Sequence, residues 1–270
     1  MTIAGLGRRS SPTPNRVVAR LPNVTLVGID CCNVSRIQKA LAISSAGIEF
    51  GAVKLLTSLP TGDPRRVAIP HLASLEDYSA FCVRDLVDYV DTDFALLVQH
   101  DGFVLNPDSW EDEFLRYDYV GAPWLVNEGT ISNEGFPREL LGQWVVGNGG
   151  FSLRSRKYLE AGARLAREGA LEALHPEDDV LCIFNRQAME RAGIVYAPID
   201  VAWRFSLEGR RRPYDRQFGF HSLSITDISS WIRANPQWRI ELQGKHRRPI
   251  LGRMAHGLTA AVNMVVEWLP

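Results

Sequence analysis

The first ordered pattern along the chain is the run 24–30, Val-Thr-Leu-Val-Gly-Ile-Asp, apolar and β-branched and of strand length. Ser35-x-x-Gln38 just after it has the form of a capping box, which predicts a helix that ends near Gly47, a residue suited to a left-handed C-cap. A second apolar run, 50–56, follows, and strand, helix, strand at this spacing predicts a βαβ unit in a parallel sheet. The pattern then repeats. Ser74 with Glu76 and Asp77 behind it opens a helix whose Leu75, Tyr78, Cys82, Leu86 and Tyr89 share one face. Phe-Ala-Leu-Leu-Val at 94–98 is a continuous apolar run that predicts a central strand covered on both faces.

Beyond that strand the elements shorten. Runs at 117–121, 194–197 and 218–221 predict short strands, 155–168 a helix, and Pro176 opens another expected to continue to Gly193. Gly147-Asn-Gly-Gly150 separates two apolar segments and reads as a hairpin or a strand-to-helix turn. Residues 1–22 are rich in Ser, Pro and Arg without periodicity and are expected to form a flexible tail, with one domain over 23–235. In the final segment, 236–270, Lys245-His-Arg-Arg248 leads into an amphipathic helix. Leu251, Met254, Leu258, Val262, Val265 and Leu269 share one face of it. That face, 250–269, fits docking on its own domain, a dimer contact or a peripheral membrane contact.

Composition narrows the function classes. At 270 residues with 46% apolar and 23% charged positions the chain can bury one substantial core. A formal net charge of −1 offers no basic footprint for nucleic acid. No run of about 18 uncharged apolar residues suggests a membrane span. Cys31, Cys32, Cys82 and Cys182 form no Cys-x-x-Cys pair, which fits a reducing, cytoplasmic setting.

Chemistry is expected at the carboxyl end of the 94–98 strand, where open α/β sheets bind ligands and where Gln99-His-Asp-Gly102 stands. Asp101-Gly102 is also a common turn pair. Glu177, Asp178 and Asp179 sit at a helix start, which the helix dipole favours, yet three adjacent carboxylates repel one another. Asn148, Gly149 and Gly150 would let backbone approach a sugar closely. Trp124 and Trp144 read equally as core residues or stacking platforms. Arg210, Arg211 and Arg212 read as a solvated run or a diphosphate contact, and Asp30 as a nucleotide contact at the tip of the first strand.

Taken in order, Val98-Gln-His-Asp-Gly-Phe103, Asn106-Pro-Asp-Ser-Trp110, Asp118-Tyr-Val-Gly-Ala-Pro-Trp124, Gly147-Asn-Gly-Gly-Phe-Ser-Leu-Arg-Ser-Arg156, Pro176-Glu-Asp-Asp-Val180 and Phe218-Gly-Phe-His221 resemble an uncharacterised glycosyltransferase-like family of GT-A cast. The resemblance covers 24–222. It implies a GT-A-like (Rossmann-like) α/β fold, a mixed, mostly parallel sheet flanked by helices, and a nucleotide-sugar-dependent glycosyltransferase of polysaccharide or glycoconjugate biosynthesis.

It further implies a UDP-sugar or other nucleotide sugar as donor, a glycan or other hydroxyl acceptor, and a divalent metal, Mn2+ or Mg2+, on Asp101 and His221. Gln99 stands where the family pattern has a first carboxylate and would contact ribose or lend a neutral oxygen. The base of an inverting transfer would be Asp178, with Asp179 second, and Glu177 would cap the helix or bind acceptor. A sugar-phosphate nucleotidyltransferase would share fold and metal, but its glycine-rich basic loop is absent from Asp30-Cys-Cys-Asn33. A non-catalytic carbohydrate- or nucleotide-binding descendant is the other alternative, and Gln99 favours it.

Overall fold

The computed structural model describes residues 17–240, so the expected helix over 250–269 lies outside the described residues. The element order is β1 (Ala19–Ile29), α1 (Val34–Ser44), β2 (Ile48–Thr57), β3 (Arg66–Ala68), α2 (Leu75–Arg84), β4 (Phe94–Val98), β5 (Tyr119–Val120), β6 (Pro123–Leu125) and α3 (Glu128–Glu134). There follow β7 (Trp144–Val146), β8 (Phe151–Ser155), α4 (Arg156–Arg167), α5 (Glu177–Asp179), α6 (Arg186–Arg191), α7 (Ile199–Phe205), β9 (Ser206–Glu208), β10 (Gly219–His221) and α8 (Ser229–Ala234).

The central sheet has the order β3-β2-β1-β4-β8-β5. β3, β2, β1 and β4 are mutually parallel, and β8 runs against both β4 and β5, so the sheet is mixed and mostly parallel. Apolar runs on β1 and β4 follow from this position. Leu26, Leu96 and Val98 face one layer with Ile37, Ala40 and Leu41 of α1, while Val27, Ile29, Ala95 and Leu97 face the other with Phe81, Cys82, Tyr158 and Leu159 of α2 and α4. Period-two alternation thus feeds two cores, one on each side of the sheet. Gly28 is where α1 comes closest: a Cβ there would meet Ile37 Cγ1 at 2.7 Å.

Several boundaries differ from expectation for local reasons. β1 starts at Ala19, inside the segment expected to be a tail, because Ala19, Arg20 and Leu21 already pair with Ile48, Glu49 and Phe50 of β2. The box expected at Ser35 and Gln38 does not form. Asn33 is the N-cap without a side-chain bond, and Gln38 Nε2 donates to Asp63 Oδ2. Instead the Asp30 carboxylate accepts from the backbone N–H groups of Cys32 and Asn33, both at 2.8 Å. Ser74 does cap α2, accepting from Asp77 N. The helix expected from Pro176 to Gly193 is interrupted by a π-helical turn over Val180–Phe184 and resumes as α6. The segment 194–197 contributes only a bridge, Tyr119 to Tyr196.

Candidate active site

The site is assembled where several short strands end. β9 and β10 run parallel with Glu208 opposite His221, and the register sets His221 Nδ1 2.8 Å from Glu208 Oε1. A carboxylate can only accept, so Nδ1–H is the donor and Nε2 faces the end of β4. There it lies 3.2 Å from Gln99 Oε1 and 3.7 Å from Asp101 Oδ1. Burial works to lower the His221 pKa, but the Asp101 and Glu208 carboxylates outweigh it and hold the ring up at about 9. Near neutral pH the ring is therefore an imidazolium donating to Gln99. Burial likewise disfavours the Glu208 anion, yet donors from His221, Trp124 and Asn148 hold its pKa below the ordinary value.

At the tip of β4, Gln99 N donates to Gly102 O at 2.9 Å and Gly102 N to Gln99 O at 3.1 Å. Asp101-Gly102 thus forms the closed turn, and the turn sets Asp101 Oδ1 3.7 Å from His221 Nε2. Gln99 Nε2 donates to Tyr78 Oη at 3.0 Å, which fixes the amide so that its oxygen points to His221.

The hairpin alternative for 147–150 does not form. β7 pairs with β6, whereas β8 pairs with β4 and β5, so the loop passes between two sheets. Asn148 sits in the left-handed region at φ 70° and is buried. Its Nδ2 donates to Glu208 Oε2 at 2.8 Å and its Oδ1 accepts from Phe151 N at 3.1 Å, so its amide is committed to the protein and not to a sugar. Gly149 N donates to Asp178 Oδ2 at 2.6 Å. A Cβ on Gly149 would stand 2.1 Å from Glu177 Oε1, and one on Gly150 would stand 2.1 Å from His221 Nε2. These glycines make room for the site's own side chains.

Of the three adjacent carboxylates, Glu177 is buried and pairs with Arg154 Nη2 at 2.9 Å. That pairing takes it away from an acceptor. Arg154 itself is 1% exposed, and it also donates to Ser152 Oγ and to Gly149 O, so a buried ion pair underlies the loop. Asp178 is half-buried, with Oδ2 on Gly149 N and Oδ1 accepting from Asp179 N at 3.1 Å. Removal from water, with Glu177 alongside, pushes Asp178 up to about 7. Removal from water, with Asp178 alongside, pushes the buried Asp179 up to about 8. The two titrate as a coupled pair that retains a proton into the neutral range.

The remaining expected residues lie apart from this cluster or are otherwise engaged. Asp30 is buried and salt-bridged to Arg36 Nε at 2.6 Å. Trp124 is half-buried over Gly147, with Nε1 donating to Glu208 Oε2, so it orients the carboxylate. Arg210 and Arg211 are exposed, and Arg212 lies over the Trp203 ring at 4.5 Å. Trp144 lies edge-to-face with Trp203, ring centroids 5.0 Å apart.

Glu208, Arg154 and Tyr78 were not anticipated as parts of the site. The available signal for Glu208 was Phe205-Ser-Leu-Glu208, a short alternating run closed by Gly209, whose C-terminal acid faces the same way as His221.

The groups that could hold a divalent cation are Asp101 Oδ1 and, once the cation displaces its proton, His221 Nε2, with Gln99 Oε1 beside them and Glu208 orienting the imidazole from behind. Among the described residues no group of three or more His, Cys, Asp or Glu is placed to hold a metal. Two protein ligands suit Mg2+ or Mn2+ when water and phosphate oxygens complete the shell, so the residues fit an ion that arrives with a phosphorylated ligand.

No curated protein matches the chain. Solved structures with similar folds include the bifunctional IspDF from Campylobacter jejuni, at 10% identity and TM-score 0.39, over 65% of this chain and 48% of that one. They also include the mannosyltransferase PcManGT from Pyrobaculum calidifontis in complex with GDP-Man and Mn2+, at 11% and 0.39, over 73% and 64%. A third is the galactosyltransferase LgtC in complex with donor and acceptor sugar analogs, at 14% and 0.43, over 80% and 94%. The chain thus spans about half of the first and less than two thirds of the second, and likeness at this level carries no functional argument. Among the described residues no helix is long and apolar enough to cross a membrane. A family model, by contrast, matches residues 65–221 and takes in Gln99, Asp101, the 147–150 loop, Glu177 to Asp179, Glu208 and His221: the chain belongs to the family described as "Protein of unknown function (DUF5672)".

Proposed function

We propose that the protein is a GT-A-like glycosyltransferase that moves a sugar from a nucleotide donor to a hydroxyl acceptor with inversion. One observation carries this reading. The loop 148–150 touches in succession a pole suited to hold a cation, Glu208 and His221 with Asp101 beside them, and the Asp178 carboxylate pole, through Asn148 to Glu208, Gly150 against His221, and Gly149 to Asp178. Glycosyl transfer needs both: positive charge for the departing diphosphate and a base for the acceptor hydroxyl.

In the proposed reaction Asp178 takes the acceptor proton as that oxygen attacks the anomeric carbon, and the bond to the diphosphate breaks. A carboxylate whose pKa is raised towards the working pH is matched to that task. The Gly149 N–H holds Oδ2 in place. Asp101 and, with its Nε2 proton displaced, His221 would hold Mn2+ or Mg2+, which when bound supplies charge neutralisation to the diphosphate. The exposed Arg210 and Arg211 remain proposed donor contacts, whereas Asp30 is taken up by Arg36 and the entrance of α1, and UDP-sugars are the first donors to try. A cytoplasmic setting, with 250–269 contacting a membrane face or a dimer mate, completes the proposal.

A second reading, a non-catalytic sugar- or nucleotide-binding protein, is favoured by Gln99, which brings no charge to the cation. Thermal shift with UDP- and GDP-sugars, with and without Mn2+, followed by assay of nucleoside diphosphate release, separates the two. Stabilisation with turnover supports transfer, stabilisation without turnover supports binding alone, and no shift with any donor contradicts both. A donor at a hundred times its Kd stabilises by about 2.7 kcal/mol.

A further inference from the structure

Beside β7 lies an open cleft of about 780 Å³, which includes none of Asp101, Asp178, Glu208 or His221 in its lining. Its walls carry three indoles, Trp110, Trp144 and Trp203. Each is held at a set angle: Trp144 against Trp203 at 72°, and Trp110 edge-on to Phe114 and Phe218 at 84° and 69°. Trp110 and Trp144 are only half-buried. Fixed aromatic faces that remain partly open suit the C–H face of a pyranose, with little ordering cost on binding.

The polar groups of the cleft point the same way. Arg204 is neutralised by Glu111 at 3.0 Å and Glu113 at 2.5 Å, and Arg216 by Asp108. Among the described residues no carboxylate pairs with Arg212, which lies exposed over the Trp203 face, and no cation pairs with the exposed Asp215. Gln217 is 7% exposed; its Oε1 accepts from Asp215 N at 2.8 Å, and among the described residues its Nε2 hydrogens have no acceptor. Donors and acceptors are thus free around the indoles. Four carboxylates, at Asp108, Glu111, Asp200 and Asp215, face three guanidiniums, so the walls carry no positive excess for a diphosphate.

We propose that this cleft binds a neutral oligosaccharide, with pyranose rings against Trp110 and Trp144 and hydroxyls on Arg212, Asp215 and Gln217. The proposal goes beyond the transfer reading and does not depend on it.

The test is saturation-transfer NMR on the full chain with maltotetraose, cellotetraose, chitotetraose and mannotetraose, with UDP as the anionic probe. At least one tetrasaccharide should receive saturation at its ring C–H protons. Arg212→Ala and Asp215→Ala, both at exposed positions, should each weaken it by about tenfold, roughly the worth of one to two hydrogen bonds, without moving Tm. Asp178→Asn should leave it unchanged. No tetrasaccharide binding, binding indifferent to Arg212→Ala and Asp215→Ala, or occupancy of the cleft by UDP alone would overturn the proposal. Saccharide binding without donor turnover would contradict only the transfer reading.

Discussion

Replacing Gly150 by alanine asks whether the glycine loop exists to seat His221. The added Cβ falls 2.1 Å from His221 Nε2 and 2.2 Å from Cδ2, where ordinary contact begins at 3.4 Å, so the ring must move by about 1.3 Å. It is not free to do so, because Nδ1 is tied to Glu208 at 2.8 Å and the preceding residue, Phe220, is fully buried. Overpacking costs about 1–3 kcal/mol and loss of a hydrogen bond to a charged group about 1.5–3 kcal/mol, giving about 2.5–6 kcal/mol for Gly150→Ala. Urea denaturation of wild type, Gly150→Ala, His221→Ala and the double variant measures this directly. With the ring gone the clash is gone, so Gly150→Ala should cost less than about 1 kcal/mol in the His221→Ala background. Gly62→Ala, whose Cβ meets nothing within 4 Å, is the control and should not destabilise. An equal Gly150→Ala penalty with and without His221 would refute the reasoning.

Three further outcomes follow from the same geometry. Arg154→Met leaves Glu177 buried without its cation and should cost about 3–5 kcal/mol in urea denaturation, most of it regained in Arg154→Met/Glu177→Gln; no recovery would show that the ion pair is not the cause. Asp178 and Asp179 have folded pKa values raised above the unfolded 3.8, so their stabilising contribution is complete below that pH and is lost as pH rises through about 7 and about 8. Stability should fall across that window in wild type, and the fall should flatten in Asp178→Asn/Asp179→Asn. For the metal, Asp101→Ala should abolish any Mn2+ dependence of donor binding; donor affinity unchanged in wild type under excess chelator would remove the metal from the account while leaving transfer intact.

How far the sequence reaches depends on the range of the interaction involved. Three of the four parallel strands, β1, β2 and β4, were legible because each carries an apolar run whose alternate residues enter two separate cores, as Leu26 and Val27 do, whereas the three-residue β3, Arg-Val-Ala, has no such run and was not anticipated. Ser74 was legible because its partner, Asp77, is three residues away. The capping box at Ser35 misled because a residue outside the motif, Asp30, occupies the helix entrance. Asp101 and His221 carry motifs that mark them individually, but their meeting depends on β10 lying beside β9, which no local pattern reports. Glu208 escaped for the same reason: it stands 13 residues before His221, across an exposed arginine-rich loop. The glycines at 149 and 150 suggested room for a sugar, and only the fold reveals that Glu177 and His221 fill that room.

The most direct test of the central claim is sugar transfer by wild type and by Asp178→Asn, measured side by side with the donor that binds in the thermal-shift panel. General-base catalysis contributes about 10²–10⁴-fold, so Asp178→Asn should lower turnover by that order, leave donor affinity nearly unchanged and exceed the effect of Asp179→Asn. The wild-type rate should fall as pH drops through the neutral range, where the Asp178–Asp179 pair takes up its proton. If Asp178→Asn transfers sugar at the wild-type rate, Asp178 is not the base and the proposed arrangement of the two poles is wrong.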